Sequence, residues 1–287
     1  MSYSNNLDTL VDDIYKTVDQ LSNSKNLNIP LEVIDEFGES MKKALTHWAT
    51  PRQQSRGLRM SNVGRPARQL WYDINLENNK VDNVSPSTQI KFLYGHILEE
   101  LLITLVKLAG HDVEGEQKEI TVSGIKGHID CIIDGEVVDI KSASRYAFKK
   151  FEEGTLAESD DFGYLAQLAG YEKATKTDNG GFLVINKETG EICLFQPDDL
   201  DKPDIKEKIK VTKRNLSVDE PPERCYNPIP EGAKGNMKLP RGCVYCPHKF
   251  ICHQDANDGE GLRVFMYSKG PSYFTKVVST PRVQEIF

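Results

Sequence analysis

The spacing of hydrophobic residues predicts helices in the first third of the chain. Apolar residues recur at helical spacing over residues 7–21 and 34–48, which is typical of two amphipathic helices. A longer helix is predicted over residues 88–109, because Ile90, Ile97 and Leu105 share one side of it. Residues 50–68, by contrast, are rich in Arg, Gly, Pro and Ser and indicate an irregular segment.

Beyond this long helix the pattern changes to alternation and predicts strands. Residues 119–122 alternate, and residues 126–142 indicate two short strands around the dipeptide Asp134-Gly135. The remaining predicted elements are helices over 160–175 and 198–215 and a strand pair over 181–196. Strands that lie between helices favour an α/β fold with a mixed sheet flanked by helices.

Three regions are predicted along the chain. Residues 1–85 form a helical N-terminal region with a basic segment, and residues 86–215 form the α/β core. Residues 216–287, where periodicity fades, form a cysteine-containing tail packed on that core. No run approaches the ~18 apolar residues that a membrane span needs, and residues 1–6 lack the features of a secretory signal. We therefore expect a soluble, cytoplasmic protein with reduced thiols.

The net charge of −7 over 287 residues is unevenly distributed. Residues 41–72 and 233–254 contain basic residues and neither Asp nor Glu, and such local positive fields attract phosphate. We expect the first island to follow a DNA backbone, with aromatic rings available to stack on bases. An ordinary solvated face remains the alternative. The predicted DNA-binding residues are Arg52, Arg56, Arg59, Arg65, Arg68, Trp71 and Tyr72.

The predicted hairpin carries the clearest chemistry. With Asp134 and Gly135 as its turn, Asp130 lies opposite Asp139 with Cβ atoms roughly 5 Å apart. Lys141 follows on the same face. Opposed carboxylates repel, and a hard divalent cation such as Mg²⁺ relieves that repulsion. Ordinary solvated charges are the alternative. The opposite, core-forming face is predicted to carry Ile129, Cys131, Ile133, Val138 and Ile140.

These residues resemble the signature of the PD-(D/E)XK nuclease superfamily, although no proline precedes Asp130. Asp130 and Asp139-Ile140-Lys141 match its D…(D/E)xK pattern, and the segment ending in Glu99 resembles its GxxxE helix, with Glu100 as the adjacent alternative. The resemblance implies a restriction-endonuclease-like core. It also implies a Mg²⁺ or Mn²⁺ site. The ligands that the resemblance suggests are Glu99, Asp130, Asp139, Ile140 and His96.

A second motif resembles the RecB-like branch of that superfamily, which includes the phage lambda-type exonucleases. Gln167 and Tyr171 match its QxxxY motif and share one helix face. The resemblance covers roughly residues 88–255. It implies a DNA exonuclease of phage or bacterial recombination or replication, which acts on DNA ends, with recombination or replication proteins as possible partners. For a phage-encoded chain the location is the host cytoplasm.

Three cysteines fall close together near the C-terminus. Cys243, Cys246 and Cys252 form a CxxC followed by a third thiol, and Cys225 is the natural fourth ligand. His248 and His253 are the other candidates. Four thiolates suit zinc or an iron–sulfur cluster equally well. The segment also resembles the tail of iron–sulfur RecB-like nucleases, except that no cysteine precedes Cys131. Thiols without metal remain the alternative.

Three functions follow as expectations from these patterns. The first is a metal-dependent exonuclease, since the chain shows basic islands and no separate element that could read base edges. The second is a structure-specific flap endonuclease, and the third is a non-catalytic module that binds DNA ends. The aligned carboxylates argue against a pure binding module. No feature indicates recognition of the 2′-hydroxyl by which a nuclease would distinguish RNA from DNA.

Overall fold

A computed structural model of the chain describes residues 5–23, 29–50, 57–76 and 86–286. It divides into two compact units. Unit one comprises Met1–Gly64 and Val84–Val211, and unit two comprises Arg65–Asn83 and Thr212–Phe287. The boundaries predicted from the sequence lie after residues 85 and 215 instead, so the grouping of residues 65–83 with the C-terminal part is a feature that only the structure provides.

The helices follow the hydrophobic periodicity closely. In chain order they are α1 Leu10–Asn23, α2 Leu31–Ala49, α3 Ala67–Asn75, α4 Pro86–Leu108, α5 Arg145–Glu152, α6 Tyr164–Thr175 and α7 Ile205–Leu216. Helices were predicted over 7–21, 34–48, 88–109, 160–175 and 198–215, and these segments correspond to α1, α2, α4, α6 and α7, whereas α3 and α5 were not predicted. The predicted starts of α6 and α7 are early, because short 3₁₀ turns and loops precede the helices proper.

Unit one contains a five-stranded mixed sheet with the strand order β1-β4-β5-β6-β7. Strands β5 and β6 are parallel, and the other neighbours in the sheet are antiparallel. The α/β fold with a mixed sheet and flanking helices, predicted from the sequence, is confirmed. These strands are β1 Val113–Glu114, β4 Cys131–Ile133, β5 Glu136–Ala143, β6 Gly181–Asn186 and β7 Ile192–Phe195.

Both faces of this sheet are covered. Because side chains alternate along a strand, Val138 and Ile140 of β5 pack in a cluster with residues of α1 and α4. Val137, on the opposite face, packs in a second cluster with α5 and α6. Asp139, which lies on the same face of β5 as Val137, is therefore buried beneath these helices.

The hairpin between β4 and β5 forms as predicted. Asp134 and Gly135 have φ angles of 49° and 90°, as a two-residue turn of this kind requires. Cys131 pairs with Val138 and Ile133 with Glu136, which confirms the predicted register. The placement of Ile129 on the face of Cys131 was wrong. The regular strand ends at Cys131, and Ile129 packs in the other cluster, beside Val137.

A separate two-stranded hairpin precedes this sheet. Strand β2, Glu119–Val122, pairs antiparallel with β3, Ile125–His128, so part of the segment predicted as a strand of the carboxylate hairpin belongs here instead. Its inward residues Ile120, Val122 and Ile125 join the cluster of α6, while its other residues are exposed.

Unit two has its own small sheet and core. Its four strands have the order β10-β11-β9-β8, all antiparallel. They are β8 Ile229–Glu231, β9 Asn236–Lys238, β10 Arg263–Tyr267 and β11 Gly270–Lys276, with the short helices α8 Arg241–Val244, α9 Lys249–Cys252 and α10 Ala256–Gly259. Two of these strands have only three residues, too few for a periodic signal. Among the described residues, no helix is both long and apolar enough to cross a membrane.

Candidate active site

Strand β5 and the residue preceding β4 bring two carboxylates together. Asp139 is completely buried in β5, and its carboxylate forms an ion pair with the Lys141 ammonium two residues further on. Asp130 lies just outside the ladder, and its Oδ2 accepts a hydrogen bond from the backbone N–H of Ile140 at 2.7 Å. This bond fixes Asp130 beside Asp139.

Helix α4 supplies Glu99 to the same site. Gln117, which was not predicted from the sequence, holds Glu99 there. Gln117 donates from Nε2 to Oε1 of Glu99 at 2.7 Å, and its backbone N–H donates to the carbonyl oxygen of Asp130 at 3.1 Å. Gln117 has a φ of 54°, a region that non-glycine residues seldom occupy. It sits in a loop with no periodicity or motif, so no signal in the sequence identifies it.

Burial and mutual repulsion dominate the electrostatics of these carboxylates. Burial, then the charges of Asp130 and Glu100, raise the pKa of Glu99 to about 8. Burial and the neighbouring Asp139 likewise raise the pKa of Asp130 to about 7. Burial would lower the pKa of Lys141, but the adjacent carboxylates outweigh it and raise that pKa. Crowding of three carboxylates around one lysine therefore favours the protonated forms of Glu99 and Asp130.

The QxxxY segment on α6 reaches this centre. Gln167 is buried, and its Nε2 lies 3.1 Å from Oδ1 of Asp139 and 2.8 Å from the hydroxyl oxygen of Tyr171. The phenol is also buried, which raises the pKa of Tyr171. Gln167 thus positions the carboxylate, and Tyr171 in turn positions Gln167.

The close packing of α6 depends on two glycines beside Met60. A Cβ atom at Gly170 would lie 2.2 Å from the Met60 sulfur, and one at Gly127 would lie 2.6 Å from its Cβ. Met60 is completely buried at this point. Gly170 therefore lets the helix that carries Gln167 and Tyr171 approach the segment around Met60.

An open cleft of about 1010 Å³ in unit one leads to these groups. Glu99, Asp130, Gln167 and Tyr171 line it together with His96. The ring of His96 lies 6.1 Å from that of His47, centroid to centroid. Basic side chains of α2, β3 and the segment before Met60 also line the cleft, namely Lys43, Arg59, Lys126 and His128.

The donor set suits a hard divalent cation. Glu99, Asp130 and Asp139 offer carboxylate oxygens, the ligands that Mg²⁺ and Mn²⁺ prefer. Oδ2 of Asp139 is buried and accepts no hydrogen bond from any described residue, leaving it to the ion pair with Lys141. No three His, Cys, Asp or Glu side chains in the described ranges are already arranged around one point as metal ligands.

The residues of the first basic island are spread over different environments. Arg59 is exposed and lines the cleft, in keeping with its predicted contact with phosphates. Arg65 belongs to unit two, and its Nε is buried with no hydrogen-bond acceptor among the described residues. Arg52 and Arg56 lie outside the described residues.

Three of the predicted DNA-binding residues make contacts within unit two, where Trp71 and Tyr72 are buried and Arg68 is half-buried. Trp71 and Tyr72 are only 8% and 5% exposed, so their ring faces are not available to bases. The Trp71 indole donates to the carbonyl oxygen of Val218 at 2.8 Å. Arg68 uses its guanidinium within the unit, with Tyr72, the carbonyl of Pro221 and the sulfur of a cysteine as acceptors. These side chains build the fold of unit two.

The cysteine segment of unit two places its thiols around one small cavity of about 30 Å³. The lining residues are Cys225, Cys243, Cys246 and Cys252 together with Arg68, Tyr72 and His253 among others. The sulfur of Cys252 lies 3.2 Å from Nε of Arg68. Burial, with smaller effects from neighbouring groups, raises the pKa of Cys246 to about 11. Of the two histidines considered, His248 instead pairs with Asp73 at 2.6 Å.

Comparison with known proteins places few constraints on this chain. No protein-family model matches it, and neither does any curated protein. The crystal structure of SSO0001 is similar at 17% identity and a TM-score of 0.39, over 75% of this chain and 94% of that chain. An alkaline exonuclease (LHK-Exo) from Laribacter hongkongensis is similar at 15% identity and a TM-score of 0.35, over 54% of this chain and 89% of that chain. Both likenesses are too distant to carry an argument, so function rests on the residues described above.

Proposed function

We propose that this protein is a divalent-metal-dependent deoxyribonuclease that hydrolyses DNA from its ends. One observation carries the proposal: Glu99 and Asp130 line a large cleft, and the fully buried carboxylate of Asp139 lies beside Asp130 and pairs with Lys141. Three neighbouring carboxylates, one buried and two half-buried, oppose folding unless protons or a cation offset their charge. Their persistence at an open cleft is expected of a functional site.

Each residue has a distinct part in the proposed reaction. Glu99, Asp130 and Asp139 would hold Mg²⁺ or Mn²⁺, with the Ile140 backbone and His96 as further candidates. Such an ion, when bound, polarises a phosphate oxygen and lowers the pKa of coordinated water. The Lys141 ammonium stabilises the negative charge that develops on the phosphate during attack. The buried amide of Gln167 holds Asp139 in orientation.

The cleft supports a substrate that is recognised through its backbone. Lys43, Arg59 and Lys126 line the same cleft as the carboxylates and can contact phosphates, which position DNA without reading its sequence. An enzyme of this kind removes nucleotides progressively from a terminus. Recombination or replication proteins of a phage or bacterium are the proposed partners.

The proposal is tested with end-labelled linear DNA and covalently closed circles, each with Mg²⁺, with Mn²⁺ and with EDTA. We expect short products from linear DNA, intact circles and no product in EDTA. Rapid nicking of the circles would exclude an end-dependent enzyme and favour a flap-type endonuclease. No hydrolysis of either DNA by the metal-loaded protein would contradict a catalytic role.

Variants assign the chemistry to the site. Asp130→Asn and Asp139→Asn should abolish cleavage while DNA binding is kept or strengthened, because repulsion of the phosphates falls. Lys141→Ala should be nearly inactive as well. Glu119→Gln is the matched control, since Glu119 is an exposed carboxylate that lines the same cleft. Cleavage at the wild-type rate by either Asp variant would refute the assignment.

We further propose that the four cysteines of unit two bind one zinc ion or one iron–sulfur cluster. Their common cavity supports this, as does the Arg68 guanidinium, whose Nε lies 3.2 Å from the sulfur of Cys252. Elemental analysis of anaerobically purified protein, with a visible spectrum, distinguishes the two metals. Finding neither metal would refute the site.

A further inference from the structure

An exposed aromatic ring lies close to the catalytic lysine. Phe162 is 56% exposed, and its ring stacks on that of Tyr164 with centroids 5.5 Å apart and an interplanar angle of 20°. The Lys141 ammonium in turn lies 5.3 Å from the centre of the Tyr164 ring. Tyr164 therefore contacts both the exposed ring of Phe162 and the ammonium of Lys141, a residue of the proposed catalytic centre.

The backbone holds Phe162 in place before any ligand arrives. Both oxygens of the Asp160 carboxylate accept hydrogen bonds from the backbone N–H groups of Gly163, Tyr164 and Leu165, each at 2.9 Å. Gly163 has a φ of 76°, and a Cβ there would lie 2.3 Å from the carbonyl carbon of Gly64. The loop is thus fixed from both sides, so little conformational entropy is lost when the ring binds.

The inner ring is anchored in the core of unit one. Tyr164 lies 6.2 Å from Phe182 and 6.1 Å from Phe151, centroid to centroid, and both partners are buried. An exposed phenylalanine on such a rigid stack offers a flat apolar surface to solvent. The neighbouring carboxylates of Asp160 and Asp161 repel phosphate, so the neutral base of a nucleotide suits this surface better than its backbone.

We propose that Phe162 is a stacking platform for one unpaired nucleobase of the DNA strand being cleaved, close to the scissile phosphate. This inference rests on the proposed nuclease function and deepens it. Bases inside a duplex are already stacked on each other, so only a single strand or a frayed end can present a base face to Phe162. The substrate of this site is accordingly a single-stranded terminus.

The test is steady-state cleavage of end-labelled single-stranded oligonucleotides by the full chain in Mg²⁺. Phe162→Ala should raise KM about 5-fold or more, since stacking of one base on an aromatic ring is worth at least that. Phe162→Trp should retain wild-type KM, because it preserves the aromatic surface. The matched control is Phe92→Ala, because Phe92 on α4 is also 56% exposed.

A second substrate series separates stacking from a general structural defect. A single abasic site is moved along the strand, and one position near the cleaved bond should raise the wild-type KM by the same factor as Phe162→Ala. At that position the variant should show no additional loss, as expected when both changes remove one contact.

The outcomes distinguish the platform from the enzyme itself. If the wild-type protein cleaves DNA and Phe162→Ala has the same KM as Phe92→Ala, the platform is overturned and the proposed nuclease is left intact. The platform would also be overturned if Phe162→Ala and the abasic site raised KM independently at every position of the abasic site. Their effects would then multiply, which means that the two changes do not remove the same contact. A wild-type protein that neither binds nor cleaves DNA would overturn both proposals.

Discussion

Replacing Glu99 by Gln should stabilise the metal-free protein while it inactivates the proposed enzyme. The carboxyl group ordinarily ionises near pH 4.5, but burial and the charge of Asp130 raise the pKa of Glu99 to about 8 in the folded state. Below pH 4.5 the group is protonated in both folded and unfolded chains. Between pH 4.5 and pH 8 only the unfolded chain ionises freely, so the folded state loses about 1.4 kcal/mol per pH unit.

The expected gain follows from that interval. At pH 7 the wild-type penalty reaches about 3 kcal/mol, and a neutral amide avoids it. The amide oxygen of Glu99→Gln can still accept the hydrogen bond from Gln117, so the loop contact is retained. For a chain of this size such a gain corresponds to an increase of several degrees in melting temperature, roughly 2–4 °C per kcal/mol.

The assay is thermal unfolding in EDTA at pH 5 and at pH 7. We expect Glu99→Gln to melt above the wild type at pH 7, with a much smaller difference at pH 5. Added Mg²⁺ should narrow the gap at pH 7, because it should bind the wild type, which has three carboxylates, more tightly than the variant, which has two. Glu119→Gln is the control: a hydrogen bond from Lys126 lowers the pKa of Glu119, so this change should bring no such gain. A Glu99→Gln variant that melts at or below the wild-type temperature at pH 7 would refute the reasoning.

Three further predictions test other parts of the structure. Gln117→Ala removes the amide that holds Glu99, and should raise the Mg²⁺ concentration for half-maximal cleavage about 10- to 100-fold. An unchanged Mg²⁺ requirement would count against this role of Gln117. Gly64→Ala should cost about 1–3 kcal/mol in urea unfolding, because the new Cβ would lie 2.5 Å from the Gly163 backbone; an unaltered midpoint would contradict this packing. Cys243→Ser should release the proposed metal and lower the melting temperature of unit two. Unchanged metal content and an unchanged melting temperature would argue against the thiolate site.

The sequence alone determined the local features of the proposed site. The Asp134-Gly135 turn fixed the hairpin register, because the side-chain period of a strand leaves only one alignment that buries the apolar face. That register placed Asp139 and Lys141 on one face, and the spacing on α6 placed Gln167 beside Tyr171. Each of these depends on residues close together in the chain, where geometry follows directly from helix or strand period.

Tertiary structure decided whatever depended on distant residues. Trp71 and Tyr72 are buried in unit two, since the same aromatic rings that can stack on bases can also fill a core. Nothing in the sequence of the loop before β2 identifies Gln117, because it reaches Glu99 only after α4 and the sheet have packed. The stack of Phe162 on Tyr164 beside Lys141 likewise requires a strand and a loop to meet in space. Periodicity predicts which face of an element is apolar, but only packing decides what that face meets.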